Sequence, residues 1–117
     1  MIDLVSKKAR YLQDTLPIRL GGLAANLARI GTVSTNPTNR IAVADMLRES
    51  KFFIEWTALD FPQEIAVDLI DLQLDLATRH RKWDYEADDE NRRDELSKWA
   101  KLKSQFIFEH FKELSSQ

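Results

Sequence analysis

The chain has 117 residues, of which 44% are apolar and 31% are charged, and its net charge is −2; this composition predicts one globular domain over residues 1–117. Three Gly and three Pro argue against a turn-rich all-β fold, and the absence of Cys excludes disulfides and thiolate chemistry. The negative net charge disfavours nucleic-acid binding. The sequence shows no apolar leader and no stretch of about 18 apolar residues, so we expect a cytoplasmic protein with no membrane span.

The first segment runs to about Ser34 and carries an apolar stripe at steps of three or four residues, the spacing of one helix face. The members of the stripe are Val5, Ala9, Leu12, Leu16, Leu20, Leu23, Leu27 and Ile30. Pro17 interrupts the segment, because proline lacks an amide hydrogen and clashes with the carbonyl group four residues earlier. We therefore expect a kink or a break near residues 13–16, with Thr15 able to cap a new helix.

A strip of small residues lies beside this apolar stripe. It consists of Gly21, Ala24, Ala25 and Ala28. Small side chains allow a second helix to approach closely, and that packing would compensate for the helix propensity that glycine lacks. The residues from Gly31 to Asn39 are predicted to form the first loop, since Asn36-Pro37 is a helix-breaking pair.

Two further helices are predicted in the middle of the chain, over residues 39–58 and 61–83. Both carry apolar residues at helical spacing. The start of the later helix is marked by Asp60 as its cap and Pro62 in its first turn.

The last predicted helix covers residues 89–114 and begins at a cap formed by Asp88 or Asp89. The connections between the predicted helices are short, which favours antiparallel neighbours. The sequence thus predicts an all-α fold. We expect an up-down antiparallel four-helix bundle with an N-terminal helical extension, kinked or broken near Pro17.

Acidic residues form a stripe on the third predicted helix, at steps of four, three and four. They are Glu64, Asp68, Asp71 and Asp75. Clustered carboxylates suit hard cations, so Asp68, Asp71 and Asp75 are candidate metal ligands, and a facing helix could add Glu49 or Glu55. A metal-binding bundle or metal-dependent hydrolase is thus one alternative. A solvated face is the other, because charged side chains are seldom buried.

The two histidines do not match a metal or catalytic motif. Di-iron bundles use Glu-x-x-His, whereas Ala77 precedes His80 and Ile107 precedes His110 at that spacing. No nucleophile pattern accompanies either histidine, so we assign no catalytic residue and no cofactor. A basic cluster flanks the connection before the last helix, where six neighbouring acids offset its charge. The basic residues are Arg79, Arg81, Lys82, Arg92 and Arg93.

Aromatic residues exceed what one buried helix face needs. Phe52 and Trp56 lie off the apolar stripe of the second helix, and Phe108 and Phe111 belong to an apolar run that nearly encircles the last helix. The N-terminal arm could cover one of these patches and a second chain the other. We predict an interface at Phe52, Trp56, Phe108 and Phe111. The hypothesis is a non-enzymatic protein-interaction module, an adaptor or small regulatory subunit that binds a protein partner or forms a homo-oligomer.

Two stretches carry a resemblance to known proteins. Residues 16–30 read LPIRLGGLAANLARI, and residues 49–58 read ESKFFIEWTA. Both resemble small, uncharacterised helical proteins of cyanobacteria, and the resemblance covers most of the chain. It implies a cytoplasmic family, and it brings no activity, cofactor or catalytic residue.

Overall fold

A computed structural model describes residues 3–116, and this part of the chain is helical without any strand. Two short 3₁₀ turns, Pro37–Asn39 and Ala58–Asp60, precede and follow the third of five α-helices. The helices are α1 (Leu4–Gln13), α2 (Leu16–Val33), α3 (Arg40–Thr57), α4 (Gln63–Glu86) and α5 (Glu90–Ser115). The predicted all-α fold is confirmed.

The first predicted segment is split into two helices. Asp14 and Thr15 are extended and separate α1 from α2, while Pro17 lies in the first turn of α2, where a missing amide hydrogen costs no helical bond. Thr15 occupies the cap position without a side-chain hydrogen bond. The loop predicted from Gly31 begins later, because α2 continues through this glycine to Val33.

The break also divides the apolar stripe. The stripe residues of α2 between Leu20 and Ile30 are buried, whereas Val5 in α1 is 82% exposed. The two extended residues change the rotation of the chain between the helices, so the apolar stripe of α1 does not continue the apolar face of α2. The buried side chain of α1 is instead Tyr11, whose ring stacks on Phe53 of α3 with centroids 4.1 Å apart.

Arg19 ties the break to the rest of the molecule. Its guanidinium donates hydrogen bonds to the carbonyl oxygens of Leu12 and Asp14, at 2.9 and 3.0 Å. It also donates to Thr57 Oγ1 and Asp60 Oδ2, both at 3.0 Å. One side chain therefore closes the end of α1 and joins it to the end of α3. No local sequence pattern indicates this role of Arg19.

The start of α4 differs from the prediction. Pro62, not Asp60, occupies the cap position, and α4 begins at Gln63. The chain first forms the 3₁₀ turn Ala58–Asp60, which places Asp60 too early to cap α4 and brings its carboxylate to Arg19. At α5 the predicted cap is observed, because the Asp89 side chain accepts a hydrogen bond from the Arg92 amide at 3.2 Å.

Neighbouring helices run antiparallel, since residues early in one helix contact residues late in the next. Such pairs are Arg19–Thr57 and Asn26–Glu49 for α2 and α3, Arg40–Trp83 and Lys51–Gln73 for α3 and α4, and Arg79–Glu95 and Asp68–His110 for α4 and α5. All five helices contribute to one apolar core, to which α1 contributes Tyr11.

Candidate functional site

The most extensively packed helix pair in the described part of the chain is α2 with α5. The Ser97 hydroxyl donates a hydrogen bond to the carbonyl oxygen of Gly31 at 2.5 Å, and the Ser104 hydroxyl donates to that of Ala24 at 2.7 Å. Because a serine side chain is short, it can reach a backbone carbonyl of a facing helix only where the two backbones lie close together. The small-residue strip of α2 therefore packs beside α5.

An apolar groove of about 430 Å³ runs along the outer side of this helix pair. Small residues of α2 form its floor, and side chains of α5 form its wall. The lining residues are Gly21, Ala24, Ala25, Ala28, Ser104, Gln105, Phe108 and Phe111. Two of the four predicted interface residues, Phe108 and Phe111, thus lie together in one groove.

The two phenylalanines differ in how much of each ring the bundle buries. Phe111 packs against the core beside Gly21, while Phe108 is 42% exposed and stacks on Phe111 at a centroid distance of 5.5 Å. Phe108 therefore presents much of a large apolar ring to the groove. Complete burial of a fully exposed phenylalanine contributes roughly 1.5–3 kcal/mol, and the exposed part of Phe108 leaves a share of this for a partner, which makes the ring a suitable anchor.

Lysines follow the face of α5 that lines the groove, while the lining itself carries no charged residue. Lys98, Lys101 and Lys112 belong to the same helical stripe as Phe108 and are exposed. Glu109 offsets Lys112, since the Lys112 ammonium and a Glu109 carboxylate oxygen lie 3.1 Å apart. Lys98 and Lys101 form no ion pair within residues 3–116. The groove is therefore apolar at its centre and positively charged at one end.

The other two predicted interface residues, Phe52 and Trp56, lie at a separate place on α3. Their rings stack with centroids 5.7 Å apart, and Trp56 also contacts Tyr11 of α1 at 6.1 Å. The N-terminal helix thus covers part of this patch, in line with the expected role of the N-terminal arm. The structure does not place the four predicted residues on one surface.

The acidic stripe of α4 is not gathered into a cation site. No group of three or more His, Asp or Glu side chains suited to a metal occurs within residues 3–116. Asp68 lies 2.9 Å from His110 of α5, measured from Oδ2 to Nε2. Glu49, one proposed additional ligand, pairs with Lys7 and accepts a hydrogen bond from Asn26. The metal hypothesis stays a prediction that calorimetry with Mg²⁺, Mn²⁺ and Fe²⁺ would test.

A polar cleft of about 380 Å³ separates parts of α4 and α5. Arg79 binds Glu95 there through two hydrogen bonds of 2.7 and 2.9 Å, and its guanidinium lies 4.2 Å from the ring centre of Trp99. Three basic and three acidic residues line the cleft; they are Arg79, Lys82, Arg92, Asp75, Glu86 and Glu95. Because the charges balance, the cleft favours neither an anionic nor a cationic ligand.

His80 lies on α4 near charged residues of both signs, among which the cations of α3 have the larger effect. Burial lowers the pKa of this histidine, and the nearby cations of Lys51 and Arg48 lower it further, while Asp84 and Asp45 oppose the shift. The charged form is thus disfavoured in the folded protein. His80 lines neither the polar cleft nor the apolar groove.

We predict a pH dependence of stability from His80. Its folded pKa is below the value of about 6.5 in the unfolded chain, so the unfolded state binds more protons between the two values. The free energy of unfolding should therefore fall as the pH drops below about 6.5. Urea unfolding at a series of pH values should show a shallower slope for His80→Gln than for the wild type. Equal slopes would contradict the prediction.

Comparisons of the chain with protein-family models, with curated proteins and with solved structures found no match. Within residues 3–116, no helix has both the length and the apolar character that crossing a membrane requires.

Proposed function

We propose that this protein is a non-enzymatic protein-interaction module whose docking surface is the groove between α2 and α5. The observation that carries the proposal is an apolar groove in which Phe108 leaves a large part of its ring exposed. Exposed apolar surface is costly in water, and contiguous patches of it mark binding sites in soluble proteins. A binding surface of this kind suits an adaptor or a small regulatory subunit.

We infer that α2, α3, α4 and α5 form an up-down antiparallel four-helix bundle, with α1 as an N-terminal extension docked on α3. The antiparallel contacts between successive helices and the pairing of α2 with α5 support this arrangement. In such a bundle the α2–α5 groove is an outer edge between two rigid helices. Rigid walls favour binding, because little side-chain and backbone entropy is lost when a partner docks. The absence of Cys fits a cytoplasmic location.

The shape of the groove indicates the type of partner. Small residues at Gly21, Ala25 and Ala28 leave space above α2, and Phe108 forms a wall. Amphipathic helices bind in grooves of this kind through apolar residues on one face. We therefore expect a helical segment of a protein, rather than a small metabolite, to occupy the groove.

Site-specific photocrosslinking in the source cells tests the proposal. A photoreactive phenylalanine analogue would replace Phe108, and in a matched control it would replace the exposed Tyr85 on α4. A defined protein adduct from position 108, absent from position 85 and abolished by Ala25→Arg in the groove floor, supports the proposal. Adduct-free protein at position 108, with the helical circular dichroism signal retained, contradicts it.

A further inference from the structure

The outer face of α4 is apolar like the groove, but it protrudes and has acidic residues beside it. Val67, Ile70 and Leu74 are exposed large apolar residues, and Leu74 is the most exposed of the three at 65%. Val67 and Leu74 are seven residues apart and therefore share one side of the helix. Together they form an apolar ridge about 10 Å long.

Acidic residues flank this ridge. Glu64, Asp71 and Asp75 are exposed, and no basic residue occurs from position 61 to position 78. Among residues 3–116, Asp71 and Asp75 form no ion pair. The ridge is therefore an apolar protrusion with negatively charged side chains beside it.

The groove and the ridge are matched in length and in charge. The groove extends along α2 from Gly21 to Ala28, which are seven positions and about 10 Å apart, the same separation as that between Val67 and Leu74. Lys98 and Lys101 lie on α5 just before the Ser104 end of the groove, and they are exposed and unpaired within the described residues, as are the carboxylates beside the ridge. Complementary charges of this kind steer association and fix its register.

We propose that the groove between α2 and α5 binds the outer face of α4 of a second copy of this chain. This inference rests on the proposed function of the groove and names its occupant. Val67 and Leu74 would pack over the small residues of α2 and against Phe108. The acidic side of the ridge would then lie toward the lysines at this end of the groove. The groove and the ridge would then be covered in one contact.

Charge reversal in separate copies tests the proposal. One full-length variant carries Asp71→Lys and Asp75→Lys, and the other carries Lys98→Glu and Lys101→Glu. In sedimentation velocity experiments, the wild type should show a mass above the monomer that rises with concentration. Each variant alone should associate at least about tenfold more weakly, because like charges then face each other. An equimolar mixture should associate again. The lysines beside the ridge of the first variant would then meet the glutamates near the groove of the second.

An apolar substitution separates the ridge from unrelated surface residues. Leu74→Ser should weaken association, while Leu59→Ser should not, although Leu59 is even more exposed at 90% and lies in the turn before α4. Circular dichroism verifies that all the variants remain helical. Equal weakening by both substitutions would overturn the assignment of the ridge.

Two results distinguish this inference from the proposed function. A wild type that stays monomeric at all concentrations, together with an adduct between position 108 and a different protein, overturns the self-association and leaves the docking groove supported. Absence of any adduct at position 108 contradicts the proposed function itself. Failure of the mixed variants to associate, when the wild type does, overturns the pairing of ridge and groove.

Discussion

Replacing Arg19 by alanine is expected to lower the free energy of unfolding by about 3 kcal/mol. The guanidinium of Arg19 donates four hydrogen bonds, to Leu12, Asp14, Thr57 and Asp60, and its side chain is only 12% exposed. Alanine removes all four donors and leaves carbonyl and carboxylate oxygens without them. Urea unfolding followed by circular dichroism measures the loss.

Two further variants show whether the hydrogen bonds or the charge of Arg19 cause the loss. Arg19→Lys keeps the positive charge but cannot reproduce the planar set of donors, so it should recover only a minor part of the lost stability. Arg81→Ala is the matched control, since Arg81 is exposed on α4, and its effect should stay within about 0.5 kcal/mol. If Arg19→Ala fell in that same small range, the connecting role of Arg19 would be wrong.

The sequence pattern predicts helix positions well where one physical rule dominates. The buried residues from Leu20 to Ile30 follow the 3.6-residue period, and Pro17 marks the start of a helix because proline fits only the first turn of one. The interactions of Arg19 could not be predicted in this way. They join residues up to 41 positions apart, and such pairs depend on how the helices pack.

The candidate site was partly predictable for the same reason. The small-residue strip of α2 and the aromatic excess near Phe108 are visible as local patterns. The groove also requires that α2 pack beside α5, which no local pattern specifies. Only this packing brings Ala25 and Ala28 close to Gln105 and Phe108. The burial of Tyr11 was also not predicted. Because the extended residues after α1 break the helical repeat, a residue outside the apolar stripe faces the core.

The second large effect is expected at Gly31, where α5 packs tightly against α2. A Cβ atom added to Gly31 would lie 2.6 Å from Lys101 Cγ and 3.3 Å from the carbonyl oxygen of Ser97. Valine adds two further methyl groups at this point and also displaces the Ser97 hydroxyl from the Gly31 carbonyl oxygen. Gly31→Val should therefore lower the free energy of unfolding by about 3 kcal/mol, at the upper end of overpacking effects.

Gly22 provides the matched control for Gly31 on the same helix. A Cβ atom at Gly22 would meet only Tyr11 Cε1, at an ordinary contact distance of 3.9 Å. Gly22→Ala should therefore raise the free energy of unfolding by roughly 0.5–1 kcal/mol, because alanine favours the helix and restricts the unfolded chain. Opposite signs for Gly31→Val and Gly22→Ala in urea unfolding would show that close helix packing, rather than backbone flexibility, requires glycine at position 31. Stabilisation by both substitutions would mean that α2 and α5 can separate at Gly31 at little cost, and the groove beside them could then not be the rigid docking surface proposed for it.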